Sequence, residues 1–203
     1  MAEQRTDEWH QQRLGKVTAS RIADVIAKTK SGPAASRKNY LAELVAERLT
    51  GQPTNGYVNA AMQHGIDTEP QARAAYAFYG DKEVAECGFV DHPVLPMTGA
   101  SPDGLVGDDG LVEIKCPTTA THLDFLFSHK IPDKYAVQML WQMECTGRAW
   151  CDFATFDPRM PANLQLWVKR VERDDTRLGE LRQSVSDFLR EVDDTIRKLG
   201  EAA

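Results

Sequence analysis

Between Ser101 and Pro117 the chain reads SPDGLVGDDGLVEIKCP, an aspartate behind a proline and then, across a Gly-Asp-Asp-Gly turn, the triplet Glu113-Ile114-Lys115. The pattern predicts a β-hairpin with Leu105 and Val106 in the first strand, Gly107 to Gly110 in the turn and Leu111 to Lys115 in the second strand. Side chains alternate along a strand, so Glu113 and Lys115 share a face while Ile114 points into the core. Asp103, at the start of the paired strand, reaches that same face. Two carboxylates and an ammonium around one point suit a hard divalent cation such as Mg²⁺ together with an oriented water. That is equipment for metal-assisted hydrolysis of a phosphodiester. The plainer alternative, a solvated hairpin face, fits the same residues.

A second set of polar residues lies near the N-terminus. Thr18-Ala19-Ser20 precedes the apolar positions Ile22, Val25 and Ile26, which predicts a short helix beginning with a hydroxyl cap. Free N–H groups at such a start favour an anion. Arg13, just upstream, could add a charge-assisted, bidentate contact. A cap and a surface charge are the competing roles for these residues. Lys28, Lys30, Arg37 and Lys38 form a basic track in what reads as a Gly/Pro/Ser-containing loop.

These residues need elements to position them. Helices are expected over Asn39 to Leu49, closed by Gly51, over roughly Pro70 to Tyr79 or from somewhat earlier, and over Tyr135 to Cys145. A long helix from Asp174 to Leu199 carries an apolar seam with three- and four-residue steps. Strands are expected near Glu83 to Val90, in the hairpin, and over Ala149 to Phe156 and Leu164 to Val171. Helices before and after a mixed sheet give an α/β or α+β fold, a central mixed sheet flanked by helices.

At 203 residues, with 42% hydrophobic and 27% charged residues, the chain is expected to form one domain over residues 1–203 with a proper core. No apolar run approaches a membrane span and no signal peptide is read, so the expected compartment is the cytoplasm. Cys87, Cys116, Cys145 and Cys151 lack metal-ligand spacing and are expected as buried thiols. A net charge of −6 argues against a uniformly basic surface that coats nucleic acid, but a local basic track is enough for a nuclease.

In order along the chain, WHQQRLGKVTAS from Trp9, GIDTEPQARAAY from Gly65, the SPDGLVGDDGLVEIKCP segment, YAVQMLWQMECTG from Tyr135 and FATFDPRM from Phe153 resemble the phage lambda exonuclease family. That family is also called YqaJ-like viral recombinases, within the PD-(D/E)xK nucleases. The resemblance implies a restriction-endonuclease-like core. It implies that Asp103 and Glu113 bind catalytic Mg²⁺, with the Ile114 carbonyl a further ligand and Glu69 supporting a second ion. Mn²⁺ is expected to substitute. Lys115 would position or activate the attacking water, and Gln138 would contact this constellation, with Gln142 one turn on as the competing candidate. Arg13 and Ser20, with Thr18, resemble residues that hold the 5′ phosphate of the strand being degraded. Met62, which reads as core on its pattern alone, takes the place of an apolar wedge at the duplex end; Lys30 and Ser101 are further DNA contacts. Two departures stand out: Thr121 replaces an arginine, and Lys30 keeps a charge but loses the guanidinium fork.

The implied activity is 5′→3′ digestion of double-stranded DNA leaving 3′ overhangs for recombination by strand annealing, in the cytoplasm of a bacterial host. The implied partners are DNA ends, two further copies in a ring-shaped homotrimer, and a single-strand annealing protein. The main alternative is a PD-(D/E)xK endonuclease of restriction or repair type; an iron–sulfur nuclease and a degenerate DNA-binding module are further rivals.

Overall fold

A computed structural model describes residues 3–54 and 59–201. The N-terminal part contains α1 (Asp7–Arg13), β1 (Val17–Thr18), a 3-10 turn over Ala19–Arg21, α2 (Ile22–Val25), the small hairpin β2 (Lys28–Thr29) and β3 (Gly32–Pro33), and α3 (Ala35–Thr50). Next come α4 (Ala60–Gly80), β4 (Val84–Ala85), β5 (Val90–Asp91), β6 (Thr98–Ala100), β7 (Gly104–Val106) and β8 (Gly110–Lys115). The chain closes with α5 (Thr119–Ser128), α6 (Asp133–Thr146), β9 (Trp150–Phe156), β10 (Leu166–Glu172) and α7 (Asp175–Glu201).

The larger sheet is five-stranded in the order β10-β9-β8-β7-β4. Only β8 and β9 run parallel within it, because α5 and α6 form the crossover that a parallel pair requires. A three-stranded sheet, β1-β6-β5, lies beside it and includes a parallel β1–β6 pair. The fold is α+β with mixed sheets, as the order of elements predicts.

The hairpin falls where the sequence places it: Gly104 pairs with Val112, Leu105 with Leu111 and Val106 with Gly110. Gly107 turns the chain at φ +52°, a conformation glycine adopts without a Cβ clash. The central strand β8 is covered on both faces. Leu111 joins the main core with Trp141, Phe153 and Phe188, whereas Val112 and Ile114 pack with Ala72, Tyr76 and Phe156 on the opposite face. Glu113 therefore points toward the layer that holds α6, and α4 covers the other side.

Several expectations need correction. The helix expected from Pro70 runs from Ala60, with an exposed Pro70 inside it. The strand expected over Glu83 to Val90 is instead two short strands in different sheets, β4 and β5. The basic track is divided between a hairpin and a helix: Lys28 lies on β2, while Arg37 and Lys38 lie on α3, where Arg37 pairs with Glu191 and stacks over the Phe188 ring. The helix expected at Thr18 to Ser20 is a 3-10 turn followed by a single turn of α-helix, and Thr18 makes no capping hydrogen bond. Four helical residues align too few peptide dipoles to favour an anion there. The seam of α7 is filled within the chain by Leu178, Leu181, Val185, Phe188 and Val192, all buried. Among the described residues no helix is long and apolar enough to cross a membrane.

Candidate active site

Glu113 is 1% exposed, and buried carboxylates are costly unless their oxygens are engaged. Its Oε1 accepts hydrogen bonds from the Lys115 ammonium and from Gln138 Nε2 (2.7 Å); its Oε2 accepts one from Gln142 Nε2 (2.6 Å). Gln138 and Gln142 are one helical turn apart and so share a face of α6. The two glutamines between which the sequence leaves a choice are both clamps on one glutamate. Donation to Glu113 sets which way the Gln142 amide points, and the Cys151 thiol lies 4.0 Å from its Oε1.

Asp103 sits directly before β7, and its Oδ2 accepts the Ile114 backbone N–H at 2.7 Å across the hairpin. Burial, with Glu113 beside it, pushes the Asp103 carboxyl well above the usual range. Burial on its own would lower the Lys115 ammonium, but Glu113 and Asp103 reverse that and push it up. In this metal-free arrangement Lys115 is a cation that donates a hydrogen bond to Glu113. Asp103, with its raised pKa beside Glu113, is short of positive charge, and all-oxygen donors suit a hard divalent ion. By this donor chemistry Asp103 and Glu113 fit Mg²⁺.

Glu69 stands apart from that pair. Its Oε1 accepts from Arg73 Nη2 at 2.7 Å, and its Oε2 is paired with Arg5. Arg73 also donates to the Asp103 carbonyl (3.0 Å) and to Glu86 (2.9 Å), tying α4 to the hairpin. Among the described residues no three His, Cys, Asp or Glu side chains are grouped so as to hold a metal ion.

A cavity of about 190 Å³ is lined by Asp103, Glu113, Lys115 and Gln138 together with Arg13, Thr18, Ser20 and Ser101. Arg13 has no carboxylate partner among the described residues. It lies 4.0 Å over the Trp9 ring and donates to Ser101 Oγ (3.3 Å), which also accepts from Trp9 Nε1 (2.9 Å). Burial pulls its pKa down to about 10, so it stays cationic at neutral pH. A half-buried guanidinium held by π faces and a hydroxyl is available to an anion. Ser20 is exposed, with its Oγ 3.3 Å from Thr18 Oγ1.

A second cavity of about 490 Å³ shares Arg5, Asp103 and Lys115 with the first and is lined further by Met62, Ile66, Glu69, Ile114 and Tyr135. Met62 is 52% exposed there, so the core reading of its pattern is wrong and a surface contact fits it better. Lys30 is exposed on the β2–β3 hairpin, and lines neither cavity; Thr121 lies exposed on α5. Sequence reasoning missed Gln4, Arg5 and Trp9, which line the first cavity. Trp9 was quoted only as part of a motif, and nothing in the spacing of Gln4 or Arg5 signals a site.

Residues 8–149 match the YqaJ-like viral recombinase domain. The chain superposes on an alkaline exonuclease (LHK-Exo) from Laribacter hongkongensis with a TM-score of 0.91 and 50% identity, over 97% of each chain. A structure of LHK-Exo in complex with dAMP matches with the same TM-score and identity, over 98% of this chain and 100% of that one. A phage-related exonuclease from Haemophilus somnus 129PT shares the fold, with a TM-score of 0.72 and 16% identity over 91% of this chain and 96% of that one. None of the curated proteins compared gives a match. With the domain match spanning most of its length, the chain belongs to the YqaJ-like viral recombinase family.

Proposed function

We propose that this protein is a Mg²⁺-dependent exonuclease that degrades one strand of double-stranded DNA from its 5′ end and leaves a 3′ overhang. The observation that carries the reading is the shared cavity, lined by Arg13, Thr18, Ser20 and Ser101 together with Asp103, Glu113, Lys115 and Gln138. An endonuclease needs only the last four. A cation and hydroxyls in the same cavity offer a place for a terminal phosphate. The similarity to an alkaline exonuclease, and the complex of that relative with dAMP, support the same chemistry.

Asp103 and Glu113 would hold the ion, with Glu69 and the Ile114 carbonyl the further ligands that the family resemblance implies. When bound, the ion supplies Lewis-acid polarisation of the phosphoryl oxygen and lowers the pKa of a water. Lys115, held as an ammonium, orients that water and offsets charge that develops on the phosphoryl oxygens. Gln138 and Gln142 fix the carboxylate of Glu113 in one orientation. Met62, exposed and lining the second cavity, would wedge the duplex end apart.

Two further copies in a ring and an annealing partner belong to this reading through the family resemblance, as does the cytoplasm of a bacterial host. The experiment is digestion of a linear duplex labelled at either end, beside a covalently closed circle. Release of 5′ label first, with the circle intact, is expected. Nicking or linearisation of the circle would favour the endonuclease reading.

A further inference from the structure

We propose that Arg5 is an internal counter-cation of Glu69, exchanged for a divalent metal ion when the site loads. The inference rests on the reading of Glu69 as a metal carboxylate. Both oxygens of Glu69 are engaged by guanidinium cations, Arg73 on Oε1 and Arg5 on Oε2, so a metal ion arriving there competes with a positive charge on either oxygen.

The two arginines are held very differently. Arg73 is locked by its additional hydrogen bonds to the Asp103 carbonyl and Glu86, and its side chain is 16% exposed. Arg5 has no hydrogen-bond partner among the described side chains other than Glu69, and its side chain is 39% exposed. Loss of Arg73 would break a scaffold, whereas loss of Arg5 from Glu69 breaks a single contact.

The backbone points the same way. Arg5 sits at φ +70°, a left-handed conformation that costs energy for a residue with a Cβ. It is held there between two fixed points. On one side Gln4 Nε2 is anchored to the carbonyls of Cys87 (2.7 Å) and Pro102 (2.8 Å). On the other side Thr6 caps α1 by accepting the Trp9 N–H. The segment is a strap pegged at Gln4, with Arg5 as its releasable contact, and Arg5 lines both cavities. As it stands, Glu69 is neutralised by arginine and does not complete a metal-binding group with Asp103 and Glu113. Release of Arg5 frees Oε2 for that role.

The test is a calorimetric titration of metal-stripped, DNA-free protein with Mn²⁺, on wild type, Arg5→Ala, Arg5→Lys, Glu69→Gln and the Arg5→Ala/Glu69→Gln double variant. A partly exposed ion pair removed from competition should tighten Mn²⁺ binding by about two- to fivefold in Arg5→Ala. Arg5→Lys should stay near wild type, and the gain should vanish in the Glu69→Gln background. Unchanged or weaker binding in Arg5→Ala would overturn the proposal. So would an equal gain in the Glu69→Gln background, which would mean long-range charge and no exchange at Glu69. Asp103→Asn separates the two readings. If wild type binds Mn²⁺ and Asp103→Asn does not, the metal centre stands whatever Arg5 does. If no form binds Mn²⁺, the metal reading falls and the exchange with it. Arg5 is surface-exposed and the Thr6 cap is untouched, so an unchanged melting midpoint is expected as the folding control.

Discussion

At the residue scale, Glu113 and Asp103 illustrate two ways of keeping a carboxylate inside a protein. Glu113 is surrounded by donors: Lys115, Gln138 and Gln142. Asp103 accepts a single N–H, and burial first and the like-charged Glu113 second raise its proton affinity. An acid whose folded pKa lies above its unfolded value destabilises the fold at neutral pH, and the penalty disappears as pH falls below the unfolded pKa. Asp103→Asn should therefore abolish nucleotide release while raising the metal-free melting midpoint at pH 7. A gain of ~1 kcal/mol corresponds to about 2–4 °C in a chain of this size. Gln142→Ala should do the reverse: loss of a buried donor to a charge costs about 1–3 kcal/mol, read as a lower urea midpoint with unchanged slope.

At the scale of elements, the site depends on two close fits outside it. Gly99 on β6 pairs with Thr18 and lies one residue from the run that leads to Ser101 and Asp103. A Cβ there would come within 2.4 Å of the Phe89 ring and 2.5 Å of the Val90 carbonyl. Gly99→Ala should cost about 1–3 kcal/mol and shift the lining of the cavity, seen as a lower melting midpoint with reduced turnover. Beyond β9, the fully buried Asp157 accepts from Arg159 and, at 2.6 Å, from Thr119 Oγ1 in the first turn of α5. Burial alone would raise the Asp157 carboxyl, but these bonds outweigh it and hold it down at about 2. The stabilisation is complete above its ordinary pKa of 3.8 and is lost as pH falls through about 2. The gap in urea midpoint between wild type and Asp157→Asn should be constant above about pH 4 and close toward pH 2.

Helices α3, α6 and α7 and the β7–β8 hairpin were legible because apolar periodicity or a Gly-Asp-Asp-Gly turn marks them. Helix α1 was not, since none of its residues is buried and no apolar stripe betrays it. Helix α5 ends at His129, with φ +51° and no glycine, so its stop signal is hidden. The one-turn α2 reads as a longer helix because Ile22, Val25 and Ile26 are apolar for the core and carry no information on length. The catalytic-type residues were legible from one hairpin, but Arg5 and Gln4 were not: their role comes from contacts across 64 to 98 residues of chain.

At the scale of the whole molecule, the net charge of −6 makes the grip on DNA a local matter. The described cations nearest the carboxylates are Lys115, Arg5, Arg73 and Arg13, and of these Arg13 alone has no carboxylate partner. In the proposed exonuclease Arg13 is thus the residue that would read a terminal phosphate. The measurement is the digestion rate of duplexes bearing a 5′ phosphate or a 5′ hydroxyl by wild type and by Arg13→Ala. A charge-assisted contact of about 1.5–3 kcal/mol corresponds to roughly a ten- to hundredfold preference of wild type for the phosphate end. Arg13→Ala should lose that preference and leave the hydroxyl end nearly unaffected. If Arg13→Ala slows both ends equally, Arg13 is a structural or general DNA contact, and the reading of this cavity as a 5′-end site is contradicted.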